Sequence, residues 1–357
     1  MRILLGTFGL ALLTTAVALT PSLSANGAPP APDLGWDVSV VDVGQSFRGL
    51  DAVDRDTAWI SGGSLTAGGA GKVYRTTDGG ETWQDVSPPG TEGLSLRDVE
   101  ARDAETAVVL SIGPGEASRI FRTTDGGATW TETFRNTEET AFYNCLDFYP
   151  GGQRGLAVSD PVDGKFQIAA TDDGGASWEV LPDEGMPDST GEANFSASGD
   201  CLVIAGRDAW FGSGGSAARV FHSTDRGLSW EATDSTLRAG DAAGVFGLAF
   251  RTPRHGVAVG GDFAAPADGT DAAAYTRDGR TWTGGDNLPH LGEDASFASK
   301  KLLLVTGESG PTAGSSVSHD GGRTWEQFST TGFHTLDCVA GGCWAAGGNG
   351  RVGVLSH

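Results

Sequence analysis

One octapeptide recurs down this chain at nearly even intervals. It stands first as Thr76-Thr77-Asp78-Gly79-Gly80-Glu81-Thr82-Trp83 and begins again at Thr123, Thr171, Ser223 and Ser318, with a copy one residue shorter at Thr276. Each copy ends in tryptophan, at Trp83, Trp130, Trp178, Trp230, Trp282 and Trp325, with spacings of 43 to 52 residues. Self-similarity at a fixed period marks a repeat architecture, in which each unit buries its apolar face against the next. Each period has room for about four short strands, and no helical pattern lies between the copies. In the first unit, the pattern predicts strands over 47–53, 57–62, 72–76 and 82–86. Four strands per unit of this length make the blade of a β-propeller.

The motif has a structural reading. The aspartates at its third position (Asp78, Asp125, Asp173, Asp225, Asp278 and Asp320) can accept hydrogen bonds from the amides of their own turn. The glycines that follow supply the positive φ of a tight hairpin. The closing tryptophans (Trp83, Trp130, Trp178, Trp230, Trp282, Trp325) begin the outer strand and pack on apolar neighbours. The shortened copy at Thr276 predicts a distorted turn. Six copies give six blades. A seventh, partial unit follows at 334–339, 343–346 and 351–355, and it lacks an outer strand. The segment Trp36 to Val43 has no other partner and can supply that strand, leaving no open edge. The expectation is an all-β chain forming one seven-bladed β-propeller over residues 36–357, with the ring closed by the N-terminal strand pairing with the last blade.

Residues 1–28 read as a signal peptide. Met1-Arg2 precedes an apolar run from Ile3 to Leu19 and then small residues up to Ala28. Residues 29–35 read as a short Pro-rich tether. The predicted location is therefore secreted or periplasmic, and no span remains after cleavage. The four cysteines fit an oxidising compartment. Cys338 and Cys343 are close enough for a hairpin bridge, and Cys145 and Cys201 lie on neighbouring inner strands. Their spacing fits no zinc site, and no metal is expected. The formal net charge of −22 argues against nucleic acid and anionic membranes as partners. It suits a protein client or a small polar or cationic ligand, bound by a monomer.

Loops joining strands two to three, and strand four to the next blade, emerge on one face of a propeller; the recurrent turns emerge on the other. The first face carries Asp160, Asp163 and Lys165 in one loop, Glu192 and Asn194 in a second, Asp262 in a third and Glu308 in a fourth. The connection over 181–198 is longer than its equivalents and adds Asp183, Glu184 and Asp188. Long connections on a rigid scaffold tend to carry function. An acidic mouth built by these carboxylates is the candidate ligand site. No HExxH, G-x-S-x-G or P-loop pattern is present, so no catalytic residue is assigned. Gly348 to Gly353 matches GxGxxG literally but sits in the closing strand with no helix after it, so it is no dinucleotide site.

The octapeptide resembles the Asp-box, the bacterial neuraminidase (BNR) repeat, and five of the six copies match its S/T-x-D-x-G-x-T/S-W form. The resemblance implies the sialidase-like superfamily fold. Sialidases themselves carry an Arg-Ile-Pro motif that this chain lacks. Over roughly 36–357 the chain resembles the photosystem II stability/assembly factor-like propellers. That resemblance implies a noncatalytic scaffold that binds a client protein, with no cofactor evident. The alternative is an enzyme at the central mouth, either a glycoside hydrolase or lyase, or an oxidoreductase, a label such exported propellers often carry.

Overall fold

In the computed structural model, the described residues are 34–356. The segment read as a signal peptide and nearly all of the tether lie outside them. Strand pairing divides the described chain into seven successive antiparallel groups of four. The first group is Gln45–Ala52, Ala58–Ser64, Lys72–Thr76 and Gln84–Asp85. The last is Thr335–Val339, Gly342–Ala346, Arg351–Ser356 and, from the other end of the chain, Gly35–Val40. Gly35–Val40 pairs in register with Arg351–Ser356, from Gly35 opposite Ser356 to Val40 opposite Arg351. The innermost strands are Gln45–Ala52, Ser95–Ala101, Phe142–Phe148, Leu202–Ala205, Gly240–Thr252, Asp294–Phe297 and Thr335–Val339. Each packs against the next, and the last packs against the first.

The core is distributed between blades rather than gathered at one centre. Phe47, Ile60 and Tyr74 of blade one pack with Trp344 and Val352 of blade seven. Phe166 of blade three packs with Phe211, Phe221 and Trp230 of blade four. Burying each such ring stabilises by roughly 1.5–3 kcal/mol, so blade-to-blade contact carries most of the stability. The motif tryptophans serve these seams. Trp83 meets Trp344 edge-on at 6.0 Å, Trp130 meets Trp59 at 6.4 Å, and the Trp130 indole also donates to the Val86 carbonyl at 2.7 Å.

The recurrent turns share one hydrogen-bond pattern. In the first, the Thr76 hydroxyl donates to Asp78 Oδ1, and Asp78 Oδ1 and Oδ2 accept from the Thr82 amide and hydroxyl at 2.9 and 2.5 Å. Asp125, Asp173, Asp225 and Asp320 repeat it. The shortened copy departs less from this pattern than its length predicts. Asp278 accepts from the Thr281 amide and hydroxyl three residues on instead of four, at 2.8 and 2.7 Å. The carboxylate fixes the turn, and the missing glycine only tightens it.

Both cysteine pairs are bridged. Cys145 joins Cys201 across blades three and four with Cα atoms 5.9 Å apart, and Cys338 joins Cys343 within one hairpin at 4.1 Å. Such bridges are consistent with an extracytoplasmic location. Among the described residues, no helix is long and apolar enough to cross a membrane.

Carboxylates staple the inner strands to one another, a feature absent from the sequence reading. Asp98 accepts the Leu146 amide of blade three at 2.6 Å, Asp294 accepts the Leu336 amide at 2.8 Å, and Asp337 accepts the Ala52 amide at 2.9 Å. Asp51 reaches Ala101 and Asp147 reaches Ile204 in the same way. Asp98 and Asp294 are buried, and Asp51, Asp147 and Asp337 are half-buried around the central channel. Burial first, and neighbouring carboxylates where they crowd, push all five upward, Asp147 and Asp294 to about 7. These groups hold protons more tightly folded than unfolded. For Asp147 and Asp294 that stabilisation is complete below the ordinary carboxylate range of about 4 and is lost as pH rises through about 7. The midpoint of thermal unfolding is expected to fall as pH rises across that window. Asp147→Asn keeps an oxygen for the Ile204 amide and removes the titration, so its calorimetric midpoint should fall less steeply. An unchanged slope would show that the ring does not titrate there.

Candidate functional site

The loops between strands two and three, together with the connections between blades, surround a cavity of about 530 Å³ at one mouth of the channel. Ligand sites commonly occupy concavities of ~300–1,000 Å³. Two arginines enter the cavity from irregular positions in the inner strands of blades one and two, where the register slips by one residue. Arg48 donates to the Ala197 carbonyl at 2.7 Å, and Arg97 donates to the Ser196 carbonyl at 2.6 Å. The long connection ahead of blade four is thereby tied to the opposite side of the mouth. Burial, then the Arg48 charge, lowers Arg97 to about 9.

Glu293 forms part of the cavity wall and gathers four donors. Its Oε1 accepts the amides of Glu308 and Ser309 at 3.0 and 2.6 Å. Its Oε2 accepts from His334 Nδ1 at 2.6 Å and Arg48 Nη1 at 3.3 Å. Burial pulls this carboxyl upward, but the His334 bond and the Arg48 charge outweigh it and hold Glu293 at about 2. The other His334 nitrogen faces Glu308 at 3.8 Å.

The seven residues singled out from the sequence divide by location. Asp160 and Asn194 line the cavity and touch, the Asn194 amide donating to Asp160 Oδ1 at 2.8 Å. Burial raises Asp160 to about 6 against the bonds from Asn194 and Asn144. The other five are not among the cavity's lining residues. Asp163 sits at positive φ at the tip of its turn, and Lys165 donates to the Asp183 carbonyl at 2.9 Å. Glu192 accepts the Ser213 hydroxyl at 2.6 Å and pairs with Arg219. Asp262 caps its own turn through the Ala264 amide at 2.8 Å. Glu308 accepts the Gly348 amide at 2.8 Å and pairs with Arg351 at 2.7 Å.

The mouth is therefore mixed in charge, and one wall is aromatic. Phe195 lies edge-on between Phe246 and Phe263, with centroids 5.3 and 5.8 Å away, and Phe263 is 51% exposed. The sequence reading missed Arg48, Arg97 and Glu293. A signal existed: Phe47-Arg48-Gly49-Leu50 and Leu96-Arg97-Asp98-Val99 place arginine at one offset in two apolar strands.

The BNR/Asp-box repeat family matches residues 74–85, the first of the recurrent turns. No curated protein matches the chain. Among solved structures, YCF48 bound to D1 peptide superposes with a TM-score of 0.63 at 15% identity, over 94% of this chain and 100% of that one. YCF48 from Cyanidioschyzon merolae gives 0.59 at 16%, over 89% and 98%. A catalytically inactive virginiamycin B lyase from Staphylococcus aureus, with Quinupristin, gives 0.61 at 11%, over 90% and 100%. At these identities the likeness is one of fold. The chain carries a BNR/Asp-box repeat at residues 74–85 and shares the fold of the YCF48 structures.

Proposed function

We propose that this propeller is a noncatalytic scaffold that takes a segment of a client protein at its mouth. It would do so outside the cytoplasm, as a monomer and without a cofactor. The observation that carries the reading is the exposed Phe263 beside Phe195, facing a cavity that also holds Arg48, Asp160 and Asn194. An apolar wall next to a few fixed polar groups suits a peptide, whose side chains need apolar contact and whose backbone needs hydrogen bonds. The YCF48 structure with a D1 peptide supports it by analogy of fold. The mature chain would be screened against an array of random octapeptides. Peptides carrying an apolar anchor are expected to bind, and Phe263→Ser should weaken them about tenfold, as loss of a central aromatic contact does. An array with no binder, or binders indifferent to Phe263→Ser, would overturn the reading.

A second reading places a hydrolase or lyase at the same mouth, and the Glu293–His334 pair favours it. Against it, both imidazole nitrogens face protein carboxylates, so neither points at a substrate. Loss of the quinupristin peak on chromatography after incubation with the protein would favour the enzyme.

A further inference from the structure

The opposite face carries a second concavity of about 370 Å³ between blades five and six. It is built from the turn joining strands one and two in each blade and from the two recurrent turns. In blades one and two the equivalent turns read Asp54-Arg55-Asp56-Thr57 and Asp103-Ala104-Glu105-Thr106. In blades five and six they read Thr252-Pro253-Arg254-His255 and Ser299-Lys300-Lys301-Leu302. The same piece of architecture has reversed its charge, in a chain whose net charge is −22.

Arg251, Arg277, Lys300 and Lys301 all line this groove. Nearby, Arg280 of the blade-five recurrent turn is paired with Glu231. No carboxylate oxygen lies within 4.0 Å of the four groove cations among the described residues. Asp320 also lines the groove, but its oxygens accept from Ser318, Arg323 and Thr324 of its own turn. The guanidiniums are preset: Arg251 lies over Phe297 at 5.8 Å and Arg277 over Tyr275 at 5.8 Å. Arg251 Nη1 also donates to the Lys300 carbonyl, which fixes that guanidinium; its remaining N–H donors and those of Arg277 are left for a ligand's oxygens. The Gly321 amide adds a donor. In the first three recurrent turns, the corresponding amides of Gly79, Gly126 and Gly174 are taken by the carbonyls of Asp56, Glu105 and Gln153. Among the described residues, that of Gly321 has no such acceptor.

We propose that this groove is a binding site for a compact phosphorylated small molecule. Paired guanidiniums, two ammonium groups and a free amide match the tetrahedral oxygens of a phosphate, which offers several acceptors and up to two negative charges at one point. The surrounding field selects for size. An isolated basic site on an acidic protein attracts a small, dense anion, whereas an extended polyanion or a membrane surface would lie against carboxylates on either side.

The test uses the mature chain and inorganic pyrophosphate as the probe, followed by isothermal titration at low salt. Binding is expected, with citrate at least about tenfold weaker because its charge is spread over three separate carboxylates instead of being concentrated at one point. Replacing the exposed pair, Lys300→Ala with Lys301→Ala, should weaken pyrophosphate at least about tenfold. Both side chains are solvent-exposed, so the fold should persist, which the thermal midpoint checks. The mouth variant Phe263→Ser should bind pyrophosphate as the parent does, which separates this site from the peptide reading. No pyrophosphate binding, binding indifferent to the lysine pair, or equal binding of citrate would overturn the proposal. So would binding only to vesicles rich in phosphatidylglycerol, since the occupant would then be a lipid surface.

Discussion

Replacing Cys145 and Cys201 together by alanine is expected to lower the unfolding free energy by about 4 kcal/mol. The bridge closes a loop of 56 residues, and loop entropy in the unfolded chain gives about that figure. The same arithmetic for the bridge between Cys338 and Cys343, five residues apart, gives about 2 kcal/mol. The first bridge also sits where backbone pairing between blades stops. Blades one, two and three are joined through ladder contacts, Gly63 with Ser95 and Tyr143 with Gly113, but blade four forms a separate sheet. Just there the long connection intervenes, and the sulfurs cross a seam that the ladder pairing of the first three blades does not reach. Urea unfolding of the two double variants checks the order. Equal losses, or a smaller loss for the blade-spanning pair, would mean that packing alone holds that seam.

Glu293→Ala should cost a similar amount, about 3–5 kcal/mol, because it leaves the Arg48 and His334 donors and two amides without their buried acceptor. Glu293→Gln should cost less, since its oxygen can still accept the Glu308 and Ser309 amides. The acid limb supplies a second readout. Glu293 is held at about 2, below its unfolded value near 4.5. Its stabilisation is present above pH ~4.5 and is lost as pH falls toward about 2. Parent and variant should converge at low pH and diverge toward neutrality. A gap that stays constant with pH would assign the loss to packing rather than charge. Because Arg48 also anchors the Ala197 carbonyl, Glu293→Ala should loosen the mouth and weaken any peptide bound there.

The architecture was legible because its determinants are local. An octapeptide that builds its own turn needs no distant partner, so six copies announced six blades, and strand bounds in the first blade were met within a few residues. The pairing of Gly35–Val40 was legible by elimination, because the last unit lacked a strand. The inter-blade carboxylates and the mouth were not legible, because both depend on which residues face each other across blades. Glu192 and Glu308 looked like loop acids but are neutralised by Arg219 and Arg351, 27 and 43 positions away in sequence. Arg48 is tied to Ala197 across 149 positions. Asp160 and Asn194 meet because their two loops are neighbours in consecutive blades.

The ladder between Gly35–Val40 and Arg351–Ser356 also sets an order in time. Gly35 and Ser356 are 321 positions apart. At ~5–20 residues per second, the first strand waits roughly 15–60 s for its partner to be made. Until then the apolar side of blade one formed by Phe47, Ile60 and Tyr74 has no Trp344 to cover it. The nascent chain therefore carries an open, sticky flank until the seventh blade is made. During that interval the flank is open to aggregation or misdocking, and the final strand's arrival ends the exposure.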